Sequence, residues 1–224
     1  QLIEDTNNQS IFLSVVDISN LNSIRKFSET FAETKIDILV HNAGLIPQER
    51  NLTENGIESA FATHIVGPHV LTSLLRSKLK YSRIIWVSSG GMYLKRFDFD
   101  YLFDEKDNYD GVKVYSNTKR AQVILSELWA LELKEQGTLV NSMHPGWVAT
   151  EGLNKSIPKF YNFMNKRLRN ITQGADTIVW LAVAKHIKSK TAKFWFDRRE
   201  VKSHYFRYTK ENILDRKKLW QFCQ

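Results

Sequence analysis

The chain has 224 residues, 42% of them hydrophobic and 25% charged, with 32 Lys and Arg against 24 Asp and Glu for a formal net charge of +8. That mix excludes a disordered or low-complexity chain and suits one large domain or two small ones. The single cysteine, Cys223, excludes an internal disulfide framework and a cysteine-rich metal site. No apolar run reaches the roughly 18 residues of a membrane span, and Gln1 to Ser10 lack the basic and apolar regions of a secretion signal, so an intracellular rather than a secreted protein is expected.

Ile11–Val16 (IFLSVV) is a short, β-branched apolar run closed by Asp17 and predicts a buried strand. Ser19 or Asn20 can cap the next segment, where Leu21, Ile24, Phe27 and Phe31 recur at helical spacing. Ile36–Val40 predicts a second strand, broken by Asn42-Ala43-Gly44, and a long helix is expected from about Glu54 to Ser77. Arg83–Val87 predicts a third strand, closed by Ser88-Ser89-Gly90-Gly91. Phe97 to Lys113 is acidic and aromatic without a period and predicts a long loop. Tyr115 to Glu135 carries the strongest helical pattern, stopped by Gly137. Leu139–Met143 predicts a fourth strand, ended by His144-Pro145-Gly146; Thr172 caps a helix through Ala184; Phe194–Phe196 predicts a fifth strand and Ile213–Phe222 a terminal helix. No repeat or linker divides residues 1–224, which are read as a single domain.

The charge is uneven. Residues 185–224 hold twelve Lys and Arg against four Asp and Glu, so the whole excess of +8 sits in this C-terminal segment of the domain. The plain reading is a solvated, Lys-rich face. The sharper one is an acidic partner, which leaves peripheral membrane contact open. No nucleic-acid motif accompanies the charge, so no nucleic-acid partner is expected. A homo-oligomer is also left open.

Strands alternating with helices at this spacing predict an α/β fold with a doubly wound parallel sheet, whose strands are nearly continuous apolar runs, as strands buried on both faces should be. Such sheets bind ligands beyond the carboxyl ends of their strands. Asp17, Asn42-Ala43-Gly44, Ser88-Ser89 and Pro145-Gly146 all fall there. Tyr115 and Lys119 stand one helical turn apart, on one face. A phenol has a pKa near 10, too high for proton transfer at neutrality; an ammonium about 4 Å away would contribute about 4 kcal/mol and could bring it to about 7. The seryl pair Ser88-Ser89 could hydrogen-bond a substrate carbonyl. His144 and His41 are read as structural residues, and Trp86, Trp129 and Trp180 as core.

The motifs VVD ending at Asp17, HNAG at 41–44, VSS at 87–89, YSNTK at 115–119 and HPGWVAT at 144–150 resemble, in kind and order, those of the short-chain dehydrogenase/reductase (SDR) family. The resemblance implies a Rossmann-like fold and hydride transfer between NAD or NADP and a small-molecule carbonyl or secondary alcohol. It implies Tyr115 as proton donor or acceptor, Lys119 as the group that lowers its pKa and holds the nicotinamide ribose, and Ser89, rather than Ser88, as the group that orients the carbonyl. Asp17 and Ile18 would meet the adenine, Asn42, Ala43 and Gly44 the adenosine-side ribose, and Val148 and Thr150, after Pro145-Gly146, the carboxamide and phosphates. His64 occupies the position of a family asparagine that holds a proton-relaying water, and its charge is expected to change across the working pH range. None of the ten glycines forms the family's TGxxxGxG turn, so the chain is expected to start just before the third family strand, without the first βαβ unit. Two readings follow: an SDR oxidoreductase, or a non-catalytic relative kept as a binding module.

Overall fold

The computed structural model describes residues 1–103, 109–187 and 189–224. The chain begins with α1 (Leu2–Thr6) and α2 (Leu21–Thr30), then enters β1 (Ile38–His41). The segments α3 (Ser59–Phe61) and α4 (Gly67–Leu74), joined by a π-helical turn at Ala62–Val66, lead to β2 (Arg83–Val87). The 22-residue α5 (Gly111–Glu132) leads to β3 (Leu139–Met143). The short α6 (Glu151–Ser156) and α7 (Pro158–Met164) and the longer α8 (Ile171–Val183) precede β4 (Phe194–Phe196), β5 (Arg199–Val201) and α9 (Ile213–Cys223). The five strands form one sheet in sequential order, parallel from β1 to β4, with β5 turned back antiparallel on β4.

Successive strand side chains point to opposite faces, and β2 shows why its run of apolar residues is unbroken. Ile84 and Trp86 join a cluster with Val140, Leu125 and Trp129 of α5, and Leu219 and Cys223 of α9. Ile85 and Val87 join Met143, Trp195 and Leu181 of α8. Helices thus cover both faces, the doubly wound arrangement expected.

Arg83–Val87, Leu139–Met143 and Phe194–Phe196 form strands with the expected bounds. Ile11–Val16 does not. It belongs to no strand, and Phe12 is 86%, Leu13 91% and Val15 92% exposed. An apolar run becomes a strand only when a neighbour takes its N–H and C=O groups, and none of the described residues pairs with it. The helix expected from Glu54 starts at Ser59, because the Glu58 carboxylate accepts from the amides of Ala60 (2.9 Å) and Phe61 (2.8 Å) and so caps it. Asp110 caps α5 in the same way, starting it one turn before Tyr115. Asn170, not Thr172, caps α8: its side chain accepts from the Gln173 amide, and the Gln173 side chain accepts in return from the Asn170 amide. Residues 104–108 of the expected loop lie outside the described residues.

Candidate active site

The carboxyl ends of β1, β2 and β3 open onto a cavity of about 820 Å³. Each strand supplies part of its wall through the turn that ends it: Asn42 and Gly44 after β1, Ser88 and Ser89 after β2, and Pro145, Gly146, Val148 and Thr150 after β3. The helix α5 crosses behind and presents Tyr115 and Lys119. Ala43, Asp17 and Ile18 do not line it. The Asp17 carboxylate instead accepts from the Ser19 amide (2.9 Å) and hydroxyl (2.7 Å), which hold its pKa below the usual carboxylate range. The Ile18 carbonyl packs against Gly67 at the start of α4, where any Cβ would strike it.

The two serines are separated by their bonds. Ser88 Oγ donates to the Lys119 carbonyl (2.7 Å) and so ties the end of β2 to α5. Ser89 lies beside the Tyr115 hydroxyl and favours its ionised form, and its Oγ accepts from the Gly91 amide (3.2 Å). Lys119 is buried, its Nζ donates to the Val87 carbonyl (3.0 Å), and it lies 5.5 Å from the centre of the Tyr115 ring. Burial pushes the Lys119 ammonium down to about 7.

This electrostatics corrects one expectation. Burial raises the Tyr115 phenol above its ordinary value, opposed by the Ser89 hydrogen bond. The anticipated fall to about 7 assumed a fully charged lysine beside it. A lysine with a pKa near 7 is about half neutral at pH 7, and a neutral amine does not stabilise a phenolate.

His64 is corrected too. It sits in the π-helical turn with no solvent exposure. Its Nε2 accepts from the Leu45 amide (3.0 Å), so its Nδ1 carries the proton and donates to Thr118 Oγ1 (2.8 Å), whose own proton goes to the Tyr115 carbonyl. Burial, with Lys119 adding repulsion, holds its pKa well below 6.5. It stays neutral where its charge was expected to change, and it bridges the turn after β1 to α5.

Sequence reasoning passed over Arg169. Its guanidinium grips Asp197 at 2.5 and 2.8 Å and donates to the Pro145 carbonyl (3.4 Å) beneath Gly146, whose φ of 83° suits glycine. No local pattern announces a contact spanning 28 residues. His144, as expected, is a strand-end structural residue: its Nδ1 accepts from the Gly90 amide (2.9 Å) and its ring stacks on Phe196. Leu94, Val112, Leu153, Ile157 and Ile178 add apolar side chains to the cavity wall.

A protein-family model described as enoyl-(acyl carrier protein) reductase matches residues 1–184. Human dehydrogenase/reductase SDR family member 12 is 39% identical over 209 residues, covering 91% of this chain; the chain spans 65% of that relative's length. Among solved structures, a Mycobacterium paratuberculosis protein superposes with a TM-score of 0.71 at 22% identity, over 93% of this chain and 72% of its own. A blue fluorescent protein from a metagenomic library, solved in complex with NADPH, gives a TM-score of 0.60 at 20% identity, over 80% and 71%.

Proposed function

Since the chain belongs to the short-chain dehydrogenase/reductase family, we propose that it transfers a hydride between a nicotinamide cofactor, NAD or NADP, and a carbonyl or secondary alcohol. The observation that carries this reading is the convergence of Ser89, Tyr115 and Lys119 on one cavity at the carboxyl ends of parallel strands. The cavity fits the nicotinamide half of such a cofactor. Gly44 leaves the wall bare beside Lys119, where an added Cβ would lie 3.5 Å from Nζ, and the Lys119 and Tyr115 donors face the space that a ribose would fill. Val148 and Thr150 would meet the carboxamide and phosphates, and Asn42 the ribose on the adenosine side.

A bound nicotinamide supplies or accepts the hydride. In reduction, Tyr115 Oη gives its proton to the carbonyl oxygen as negative charge develops there, and the Ser89 hydroxyl orients that oxygen by a second hydrogen bond. Lys119, with a pKa near neutrality, exists in comparable amounts as ammonium and amine and can return a proton to Tyr115. His64 holds the turn after β1 in place without titrating. The second reading, a relative that binds but does no chemistry, draws on Asp17 being engaged with Ser19 rather than turned to the cavity. Steady-state assays with NADH and NADPH across ketones, aldehydes and secondary alcohols separate the two. Turnover supports the enzyme; dinucleotide binding without turnover of any of them supports the binding module.

A further inference from the structure

Part of the C-terminal charge excess, a net of +3 over residues 202–217, falls on the same stretch of chain as a set of exposed apolar side chains. Between β5 and the first turns of α9, Tyr205, Phe206, Tyr208, Ile213 and Leu214 are 55–68% exposed, and the rings of Phe206 and Tyr208 stack at 5.4 Å. The buried Thr209 anchors this stretch from below, its hydroxyl donating to the Phe206 carbonyl (2.7 Å). Exposed cations are interleaved with them: Lys202, Arg207, Lys210 and Lys217. On α9, Lys217 lies four residues after Ile213 and three after Leu214, on the same face.

The acids of this stretch do not neutralise the cations. Glu211 is turned inward, where it pairs with Arg216 (2.6 Å) and lies 3.3 Å from His204; Asp215 is half-buried. Among the described residues no ion pair engages Lys202, Arg207, Lys210 or Lys217. The outward surface therefore carries positive charge and apolar rings, with the half-buried Asp215 the only partly exposed acid between them among the described residues.

We propose that this surface docks the protein on an anionic lipid bilayer. Two features select that occupant. The charge complements phosphoserine- or phosphoinositol-type headgroups, and Tyr and Phe suit the headgroup boundary, where an apolar body and a wet edge are both accommodated. Ile213 and Leu214 distinguish a lipid from a nucleic acid: single strands stack on aromatic rings but offer nothing to an exposed aliphatic pair. No described helix is long and apolar enough to cross a membrane, so the contact is a peripheral one.

The test is co-sedimentation of the 224-residue chain with vesicles of phosphatidylcholine alone and with about 30% phosphatidylserine. Binding should require the anionic lipid and weaken with salt. Each basic group near such a surface is worth about a fivefold change in partition. Reversing Lys202→Glu, Arg207→Glu, Lys210→Glu and Lys217→Glu together should therefore lower binding by on the order of a hundredfold or more. Phe206→Ser with Leu214→Ser should weaken it at unchanged charge. All six positions are exposed, and far-UV circular dichroism checks that the fold survives. Equal binding of the parent and the charge-reversed chain overturns the proposal. So does absence of binding to anionic vesicles, including the case in which a single-stranded oligonucleotide is bound instead.

Discussion

His69 makes folding of this chain sensitive to acid. It lies in α4 between the rings of Trp129 and Trp220, each 5.1 Å away, and its buried Nδ1 has no hydrogen-bond partner among the described residues. Burial lowers its pKa to about 4. The unfolded value is about 6.5, so between these pH values the unfolded chain holds a proton that the folded chain does not. Stability from this group is complete above pH 6.5 and falls with acid by about 1.4 kcal/mol per pH unit until the folded pKa is reached. His41, lowered to about 3, and His144, lowered to about 4, act in the same direction, as does His64. His41, His69 and His144 together should cost roughly 5 kcal/mol between pH 7 and pH 5, a large part of the about 5–15 kcal/mol that holds an ordinary domain folded. The variant His69→Phe keeps the ring contacts and removes the proton site. Urea unfolding at pH 7 and pH 5 should show the parent losing about 2 kcal/mol more than the variant over that interval. An equal loss in both would refute the assignment of acid sensitivity to buried, neutral histidines.

Ser88→Ala should lower stability by about 1 kcal/mol in urea unfolding, through the lost bond to the Lys119 carbonyl, and spare turnover. Ser89→Ala, which loses the bond from the Gly91 amide, should cost a similar amount of stability and in addition lower kcat; loss of turnover in Ser88→Ala and not in Ser89→Ala would exchange their roles. Because Lys119 titrates near 7, carbonyl reduction, which consumes a proton, should slow as pH rises through about 7, and a flat profile from pH 6 to 8.5 would remove Lys119 from the proton path. His64→Asn should leave the shape of that pH profile unchanged between 6 and 7, since His64 is neutral throughout; disappearance of an inflection there would restore a titrating role. Cys223, pushed up to about 12 by burial, should react with iodoacetamide at pH 8 only after unfolding, and prompt labelling of the native chain would contradict its burial.

Where the chain's own residues dictate structure, the sequence was readable. The strands β2 and β4 are apolar runs and β3 nearly so, with turn residues at their ends, and both faces of the sheet are covered as that pattern requires. Tyr115, Lys119 and Ser89 were placed together because a helical turn and a strand end fix their positions. What escaped depended on partners distant in sequence. Ile11–Val16 has strand composition but no described neighbour to pair with. The hairpin from β4 to β5 turns through Asp197 and Arg198, with φ of 49° and 58°, and carries none of the glycines that usually mark such a turn. The phenol's pKa was misjudged because the spacing of Tyr115 and Lys119 reveals their proximity but not how far burial discharges the lysine.

The proposed chemistry rests on one proton, that of the Tyr115 hydroxyl. Its most direct test is the rate of carbonyl reduction by the parent and by Tyr115→Phe, measured with saturating cofactor on a substrate found in the assay panel. The variant keeps the ring and loses only the hydroxyl beside Ser89. The account predicts a fall of about 10²- to 10⁴-fold in kcat, the usual worth of a positioned general acid, with the dinucleotide still bound and the fold intact. A rate within about tenfold of the parent would contradict it.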